Sequence, residues 1–134
     1  MILVDAGPLV ALVDADDEYH SRCVDALKEV REPLATVWPA FTEAMYLLGD
    51  LPVAQEALWE MMTREIVHLL PLAAQDFPRI RELMRKYADQ PMDLADAALV
   101  YAAERENTRH IFTTDKKDFG IYRIHGRSRF TIIP

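Results

Sequence analysis

The stretch MILVDAGPLVALV, residues 1–13, is an apolar run that is interrupted by Asp5 and by Pro8. A short apolar run followed by a proline is typical of a buried β-strand, a tight turn and the first turn of a helix. A secretory signal peptide is the alternative interpretation. The two interruptions, and the absence of any Lys or Arg before Arg22, argue against it. The stretch therefore predicts a strand over residues 1–5 and a helix that starts near Pro8.

The rest of the chain alternates in the same way between apolar runs and helical patterns. Further strands are predicted at residues 34–38, 66–70, 110–114 and 129–134. Helices are predicted at residues 18–31, 53–63, 74–88 and 91–106, and another begins at Pro39. Asp16 and Asp17 are candidate caps for the first of these, and residues 49–52 should end the helix of Pro39. This alternation predicts an α/β fold, a three-layer α/β/α sandwich around a mostly parallel sheet of four to five strands.

Length and composition favour a single domain that spans residues 1–134. The 134 residues are 51% hydrophobic and 28% charged, which suits one globular core. The single cysteine, Cys23, can form neither an internal disulfide nor a cysteine-based zinc site, so a reducing, cytoplasmic location is expected. The four histidines lack the spacing of zinc ligands. No apolar run approaches the ~18 residues that a membrane-spanning helix needs, so no membrane partner is expected.

The charge of the chain is negative overall but unevenly placed. The 22 acidic and 15 basic residues give a formal net charge of -7, which argues against binding a polyanion by bulk charge. From Arg105 to the last residue, however, there are seven basic residues and three acidic ones. This segment is either an ordinary solvated surface or a basic rim that steers phosphate groups.

Several acids occur where the predicted strands end or the following helices begin. They are Asp5 after the first strand, Glu43 in the helix after the second, Asp96 in the alanine-rich helix and Asp115 after the fourth predicted strand. In a doubly wound sheet these positions share one edge, where ligand sites form, so we expect the four carboxylates to converge. Asp93 lies one helical turn before Asp96, and Asp118 lies near Asp115 at the periphery.

Each of these acids also has an ordinary structural explanation. Asp5 and Asp93 are candidate helix caps, Glu43 is a candidate surface residue and Asp115 a candidate turn residue. A cluster of carboxylates would, however, raise the pKa of its members unless a cation compensates the charge. Donors that are all carboxylate oxygens suit Mg²⁺ or Mn²⁺, ions that support phosphodiester hydrolysis.

The chain resembles the PIN domain family, and more narrowly the VapC-type toxin ribonucleases of type II toxin–antitoxin pairs. The resemblance rests on MILVDAGPLVAL, on Glu43 after the second strand, on MDLADAALVYAAE and on IFTTDKKDFGIYR, and it spans essentially the whole chain. It implies a catalytic Mg²⁺ site with Mn²⁺ as an alternative ion, made by Asp5, Glu43, Asp96 and Asp115, with Asp93 and Asp118 as accessory acids. In that scheme Asp5 and Asp96 are the leading ligands, while Glu43 and Asp115 orient water or hold a second ion.

The same resemblance implies a function and partners. It implies a metal-dependent endoribonuclease that cuts structured RNA such as tRNA or rRNA and inhibits translation. A small antitoxin would neutralise the enzyme by wrapping around it and placing a basic side chain beside the acidic pocket. Homodimers are usual in the family, and the apolar helices between Glu43 and Met62 are either interface or core.

One departure from the family pattern and three alternative functions stay open at this point. Many relatives carry Thr or Ser where this chain has Ala6; either Thr113 or Thr114 supplies the missing hydroxyl, or metal affinity is lower. A dehalogenase-like phosphohydrolase would need an Asp at Gly7, and a receiver domain would need an acceptor Asp after IVHLLPL. The third alternative is a PIN-fold module that binds RNA or protein without cutting.

Overall fold

Five strands and seven helices make up the fold in the computed structural model, which describes residues 1–134. The strands are β1 (Ile2–Val4), β2 (Leu34–Val37), β3 (Val67–Leu70), β4 (His110–Phe112) and β5 (Thr131–Ile133). The helices are α1 (Ala6–Val13), α2 (His20–Glu29), α3 (Trp38–Leu47), α4 (Pro52–Thr63), α5 (Phe77–Lys86), α6 (Leu94–Glu106) and α7 (Lys116–Ile121), and a 3-10 turn (Ala74–Asp76) precedes α5. The strands form one sheet in the order β3-β2-β1-β4-β5, and every pairing is parallel.

Alternate residues of the strands point to opposite faces of the sheet and enter two separate cores. Ile2 and Val4 pack in one core with Leu58 of α4, while Leu3 packs in the other with Leu99 of α6. This period of two is what a sheet covered by helices on both faces requires. The predicted three-layer α/β/α sandwich is confirmed, with five strands and with a sheet that is wholly parallel.

The start of α2 differs from the prediction. The helix begins at His20 instead of Glu18, and neither Asp16 nor Asp17 caps it. Instead, Oδ1 of Asp17 accepts a hydrogen bond from the Tyr19 amide at 2.8 Å. A short acidic side chain that bonds the backbone two residues on stabilises a turn, so it delays the helix.

The helix α7 is absent from the sequence-based prediction, which treats Asp115 as a possible turn residue. The helix has six residues, too few for an apolar period to be visible. It starts where Oδ1 of Asp115 accepts a hydrogen bond from the Asp118 amide at 3.1 Å, which is an N-cap contact. The predicted helix at 74–88 is also refined, because it opens as a 3-10 turn and becomes α-helical at Phe77, beside Pro78.

The helix α6 is buried on almost every side. Its alanines, among them Ala98 and Ala102, are fully buried, because small side chains let the helix lie close to its neighbours. It ends at Asn107, whose φ of 53° is the left-handed conformation that often terminates a helix. None of the seven helices combines the length and the apolar character that crossing a lipid bilayer requires.

Four charged side chains join α5 and α6 in what we call the arginine network: Asp76, Arg79, Glu104 and Arg105. Arg79 makes two hydrogen bonds of 2.9 Å to the carboxylate of Glu104, which also accepts the His125 amide at 2.7 Å. Arg105 lies 3.6 Å from Asp76. These contacts connect the start of the predicted basic segment to the rest of the fold. The guanidinium group of Arg105 is therefore already bound by groups of the protein itself.

Candidate active site

The acids selected from the sequence lie around the carboxyl end of the sheet. Asp5 follows β1 and caps α1, and Asp115 follows β4 and caps α7. Because β1 and β4 are neighbours in register, with Val4 opposite Phe112, Asp5 leaves the sheet beside the segment 113–115 that ends in Asp115. Asp93 caps α6, which carries Asp96 in its first turn, and Glu43 lies on α3. We call Asp5, Glu43, Asp93, Asp96 and Asp115 the acidic centre.

Asp5 is the most buried member of the acidic centre, with 8% of its surface exposed. Its Oδ2 accepts a hydrogen bond of 2.9 Å from the Thr113 hydroxyl, and its Oδ1 accepts one of 2.8 Å from the Ala6 amide. The Thr113 hydroxyl accepts in turn from the Asp115 amide at 3.0 Å. Thr113 therefore supplies a hydroxyl to Asp5 in a chain that has alanine at position 6.

Thr114, the other candidate for that hydroxyl, lies against α1 instead. A Cβ built on Gly7 would lie 2.6 Å from its Oγ1, closer than real contacts allow. Gly7 therefore permits the first turn of α1 to approach the segment that carries Asp115.

Asp96 is held by two contacts, one of which involves a residue that we did not select from the sequence. Its amide donates to Oδ1 of Asp93 at 2.9 Å, so Asp93 fills the capping role that its position suggested. Its Oδ2 accepts a hydrogen bond of 3.0 Å from the hydroxyl of Tyr122, which is fully buried. The spacing of Asp115, Asp118 and Tyr122, three and then four residues apart, is a helical signal that would have brought Tyr122 to attention.

The carboxylates of the acidic centre are close enough to perturb one another. Burial raises the pKa of Asp96 to about 7, and repulsion from Asp93 and Asp5 adds to the effect. Burial, again with Asp93 and Asp5 as neighbours, raises the pKa of Glu43. The pKa of Asp5 is raised mainly by burial, against the hydrogen bonds from Thr113 and Ala6, while Asp93 and Asp115 raise it further. No cationic side chain offsets these three shifts, so negative charge is concentrated here without compensation.

Asp118, an accessory acid in the sequence-based prediction, extends this acidic region along α7. Burial raises its pKa, and Asp115 raises it further through a side-chain hydrogen bond and through its charge. Lys117 acts in the opposite direction, and both Lys117 and Lys116 are exposed in the same helical turn. These two lysines are the free cations of the basic segment that lie beside the acidic centre.

The chemistry of the donor atoms in the acidic centre decides which metal ion would fit there. Carboxylate oxygens are the donors that Mg²⁺ and Mn²⁺ prefer, and a cation would relieve the repulsion that raises the pKa values. No three of the Asp, Glu, His and Cys side chains already form a group with the geometry of a metal cage. Mg²⁺ commonly keeps several waters and takes only one or two carboxylates, so a pre-formed cage of three is not a requirement.

Two adjoining depressions lie next to the acidic centre. An open groove of about 630 Å³ is lined by Glu43 and Asp93, and also by Trp38, Tyr46 and other residues of α3 and α6. An apolar pocket of about 530 Å³ between α3, α5 and α6 shares Trp38, Pro39 and Leu94 with it. We call the two together the trench, a surface that is acidic at one end and apolar at the other.

Comparison with known proteins gives a family match over most of the chain. The model of the PIN domain family matches residues 2–124. Among curated proteins, Ribonuclease VapC26 of Mycobacterium tuberculosis is 28% identical over an alignment of 143 positions, which covers 99% of this chain and 100% of that protein.

Two solved structures share the fold. VapC20 of Mycobacterium tuberculosis, described as a toxin that cleaves the sarcin-ricin loop, aligns with a TM-score of 0.78 at 17% identity over 87% of this chain and 92% of that one. A toxin-antitoxin complex from Klebsiella pneumoniae contains a chain that aligns with a TM-score of 0.72 at 16% identity over 100% of this chain and 97% of that one. At these identities the structures establish the shared fold.

Proposed function

This chain belongs to the PIN domain family, and from that premise we propose that it is a metal-dependent endoribonuclease that acts as the toxin of a toxin–antitoxin pair. The observation that carries the proposal is the uncompensated acidic centre. At the carboxyl edge of the parallel sheet, Asp5 is buried and Glu43 and Asp96 are partly buried, and the pKa values of these three carboxylates are raised by burial and by neighbouring acids. A fold that needed these acids for stability alone would gain by pairing them with cations.

We assign the metal ligands as the family resemblance implies. Asp5 and Asp96 are the leading ligands of Mg²⁺ or Mn²⁺, and Asp93 and Asp118 are accessory acids. Glu43 and Asp115 orient the attacking water or hold a second ion. A bound divalent cation supplies Lewis acidity toward the phosphate and lowers the pKa of water. The chain itself contributes the fixed orientation of Asp5, which the Thr113 hydroxyl and the Ala6 amide hold on both oxygens.

The substrate in this proposal is structured RNA such as tRNA or rRNA. VapC26 is named a ribonuclease, which supports RNA as the substrate class. Lys116 and Lys117 are exposed in the first turn of α7, next to Asp115, where they would contact phosphates of a bound RNA. The net charge of -7 limits non-specific binding, so we expect selective recognition of a few sites.

The partner in this proposal is a small antitoxin, which we place in the trench. Its apolar end suits apolar side chains of a partner segment, and its acidic end, at Glu43 and Asp93, suits a basic side chain that would neutralise the acidic centre. The structural similarity to a chain in a toxin-antitoxin complex agrees with such a partner.

We further propose that the chain is a single PIN domain over residues 1–134, works in the cytoplasm and forms a homodimer. The hairpin of α3 and α4 exposes Tyr46 and Val53 by 83% and 84%, together with Leu47 and Leu51. An exposed apolar surface of this kind is typical of a protein interface. Analytical ultracentrifugation of the parent and of Val53→Asp would test this surface, since the charge should favour the monomer.

Two observations favour a second candidate function, a PIN-fold module that binds RNA without cutting it. The acidic residues do not form a ready-made metal cage, and Ala6 replaces the hydroxyl residue of many relatives. The two functions differ in what a divalent cation does, because only the nuclease needs it for a chemical step.

The test is RNA cleavage by purified protein with Mg²⁺, with Mn²⁺ and with chelator, for the parent and for Asp96→Asn. The proposal expects cleavage that stops with chelator and with the variant. Mapping RNA ends in cells after brief induction of both proteins would name the target. RNA that is bound yet intact under every metal condition would instead support the binding module.

A further inference from the structure

The hydroxyl of Tyr122 is buried and has one hydrogen-bond partner, the carboxylate of Asp96. The side chain is fully buried, and its hydroxyl donates to Oδ2 of Asp96 at 3.0 Å. Buried phenol hydroxyls need a partner, and this one makes no other hydrogen bond in the protein. The contact therefore matters to both groups, since breaking it leaves the phenol unsatisfied and the carboxylate less constrained.

The ring of Tyr122 is fixed on two sides by other aromatic rings. It packs edge-on against Tyr87, with centroids 5.1 Å apart, and against Phe119 at 5.2 Å. Its backbone ends α7, and its amide donates to the carbonyl of Asp118 at 3.1 Å. A hydroxyl on so constrained a ring has little freedom, so it also constrains the oxygen that it contacts.

The two oxygens of Asp96 are consequently not equivalent. Oδ2 accepts from Tyr122, while Oδ1 accepts no hydrogen bond from the protein. We propose that Tyr122 is a positioning residue for the acidic centre, which holds one oxygen of Asp96 and leaves the other free to bind a divalent cation. This inference rests on the proposed metal-dependent function, and it adds a residue that contacts neither RNA nor, in our assignment, the ion.

The short helix α7 gains a clear role from this arrangement. Its N-cap is Asp115, a member of the acidic centre. Its C-cap is Tyr122, whose hydroxyl donates a hydrogen bond to Asp96 on α6. One six-residue element therefore places two groups that act on the same site. Partners that orient a metal ligand typically alter metal affinity or activity by about 10- to 100-fold when they are removed.

The test is a titration of the protein with Mn²⁺ in the absence of RNA, in which electron paramagnetic resonance measures the free ion. We expect Tyr122→Phe, which removes only the hydroxyl, to weaken Mn²⁺ binding by roughly tenfold or more. The matched control is Tyr87→Phe, which removes a hydroxyl from the same aromatic cluster. The Tyr87 hydroxyl accepts one hydrogen bond, of 3.0 Å, from the Arg123 amide. That variant should bind Mn²⁺ within about twofold of the parent, because the change lies outside the acidic centre.

The outcomes separate this inference from the proposed function. A folded Tyr122→Phe protein that binds Mn²⁺ as the parent does would overturn the positioning role, even if the parent cleaves RNA. A parent that binds Mn²⁺ in a Tyr122-dependent way but cleaves no RNA would support the positioning role and contradict the nuclease. A parent that binds no Mn²⁺ would overturn both.

A second measurement covers the case in which Tyr122→Phe does not fold. The parent can be labelled with fluorotyrosine, and the resonance of Tyr122 identified by elimination with variants of the other tyrosines. Titration with Mg²⁺ should shift that resonance in step with binding, because the ion and the phenol share one carboxylate. A Tyr122 resonance that does not move while Mg²⁺ binds would contradict the proposal.

Discussion

Two groups of carboxylates lie within this small protein, and their surroundings differ in one respect. In the arginine network, burial raises the pKa of Glu104, but the hydrogen bonds from Arg79 and the His125 amide outweigh it and lower the pKa overall. The pKa of Asp76 is lowered as well, by hydrogen bonds from Tyr101 and Ala73 and by Arg105. In the acidic centre the pKa values of Asp5, Glu43 and Asp96 are raised instead.

The contrast shows that buried acids which hold structural elements together are paired with arginine in this protein. The paired acids join α5, α6 and the loop that contains His125, and they need nothing from outside. Asp5 and Asp96 receive hydrogen bonds from hydroxyls and from an amide, but none of the three unpaired acids is paired with a positive charge. The missing charge is the part that a divalent cation would bring.

The largest expected effect comes from removing one charge in the acidic centre. Asp96→Asn keeps an oxygen for the Tyr122 hydroxyl but removes a proposed metal ligand, so we expect the cleavage rate to fall by more than the roughly hundredfold that residues orienting a ligand contribute. The stability of the metal-free protein should not fall, because a repelling charge has gone. Single-turnover RNA cleavage and thermal unfolding measure the two effects.

The control for this variant is Asp89→Asn, the same change at an exposed loop position. It should leave both the rate and the unfolding midpoint at the level of the parent. An Asp96→Asn protein that is folded and still cleaves RNA as the parent does would remove Asp96 from the site.

The opposite result is expected in the arginine network. Glu104→Gln breaks the paired hydrogen bonds with Arg79, so we expect the free energy of unfolding to fall by about 2 kcal/mol. Binding of Mn²⁺ should not change. Urea denaturation and Mn²⁺ titration measure these effects, and a stability equal to that of the parent would contradict the division between the two groups.

Glu82→Gln is the matched control, because Glu82 is an exposed partner of the same arginine, at 3.1 Å. Exposed pairs contribute little, so we expect a change below about 0.5 kcal/mol. A large effect at Glu82 would mean that the stability resides in the charge of Arg79 and not in its pairing with Glu104.

A smaller effect is expected from the hydroxyl that supports Asp5. Thr113→Val removes the donor to Asp5 and the acceptor of the Asp115 amide, so the free energy of unfolding should fall by about 1 to 2 kcal/mol. Mn²⁺ binding should weaken too, since Asp5 is then less constrained. Thr114→Val, at the adjacent residue whose hydroxyl makes no hydrogen bond, should weaken neither property.

The smallest expected effect is a pH dependence of the metal-free protein. The pKa of Asp96 rises from 3.8 to about 7 on folding, so the folded state holds its proton more tightly than the unfolded state. That contribution to stability is full below pH 3.8 and is lost as the pH rises through 7. Between about pH 6 and pH 8 the thermal midpoint should therefore fall by roughly 3 °C.

Saturating Mg²⁺ should abolish this fall, and Asp96→Asn should not show it. The acids of the arginine network have lowered pKa values, so they are ionised throughout this range and do not obscure the effect. A midpoint that rises over the same interval would contradict the raised pKa of Asp96.

The sheet and the placement of the acids at its carboxyl edge could be predicted from the sequence, because both depend on local signals. The strands are short apolar runs, and each acid directly follows a strand or lies in the first turns of a helix, where the parallel topology gathers such positions. The break at residues 49–52 between α3 and α4 was predicted for the same reason, from turn-forming residues.

Contacts between residues distant in the chain could not be predicted in this way. The residues of the Tyr122–Asp96 hydrogen bond are 26 positions apart in the sequence, and those of the Arg79–Glu104 pair are 25 apart. Neither separation corresponds to the repeat of a helix or a strand. The basic segment shows the same limit. Arg105 and Arg123 are bound within the fold, to carboxylates and backbone carbonyls, so composition overstated the positive charge that is free for phosphate.

The central position of β1 has a consequence for synthesis of the chain. The strand β1 lies between two partners. One, β2, follows it closely in the sequence, whereas the other, β4, lies more than 100 residues further along the chain. Asp5 takes its place only when its amide bonds the Phe112 carbonyl and its carboxylate meets Thr113. A nascent chain therefore cannot assemble the acidic centre until the segment through Asp115 has emerged from the ribosome, however early the neighbouring strands β1 and β2 form.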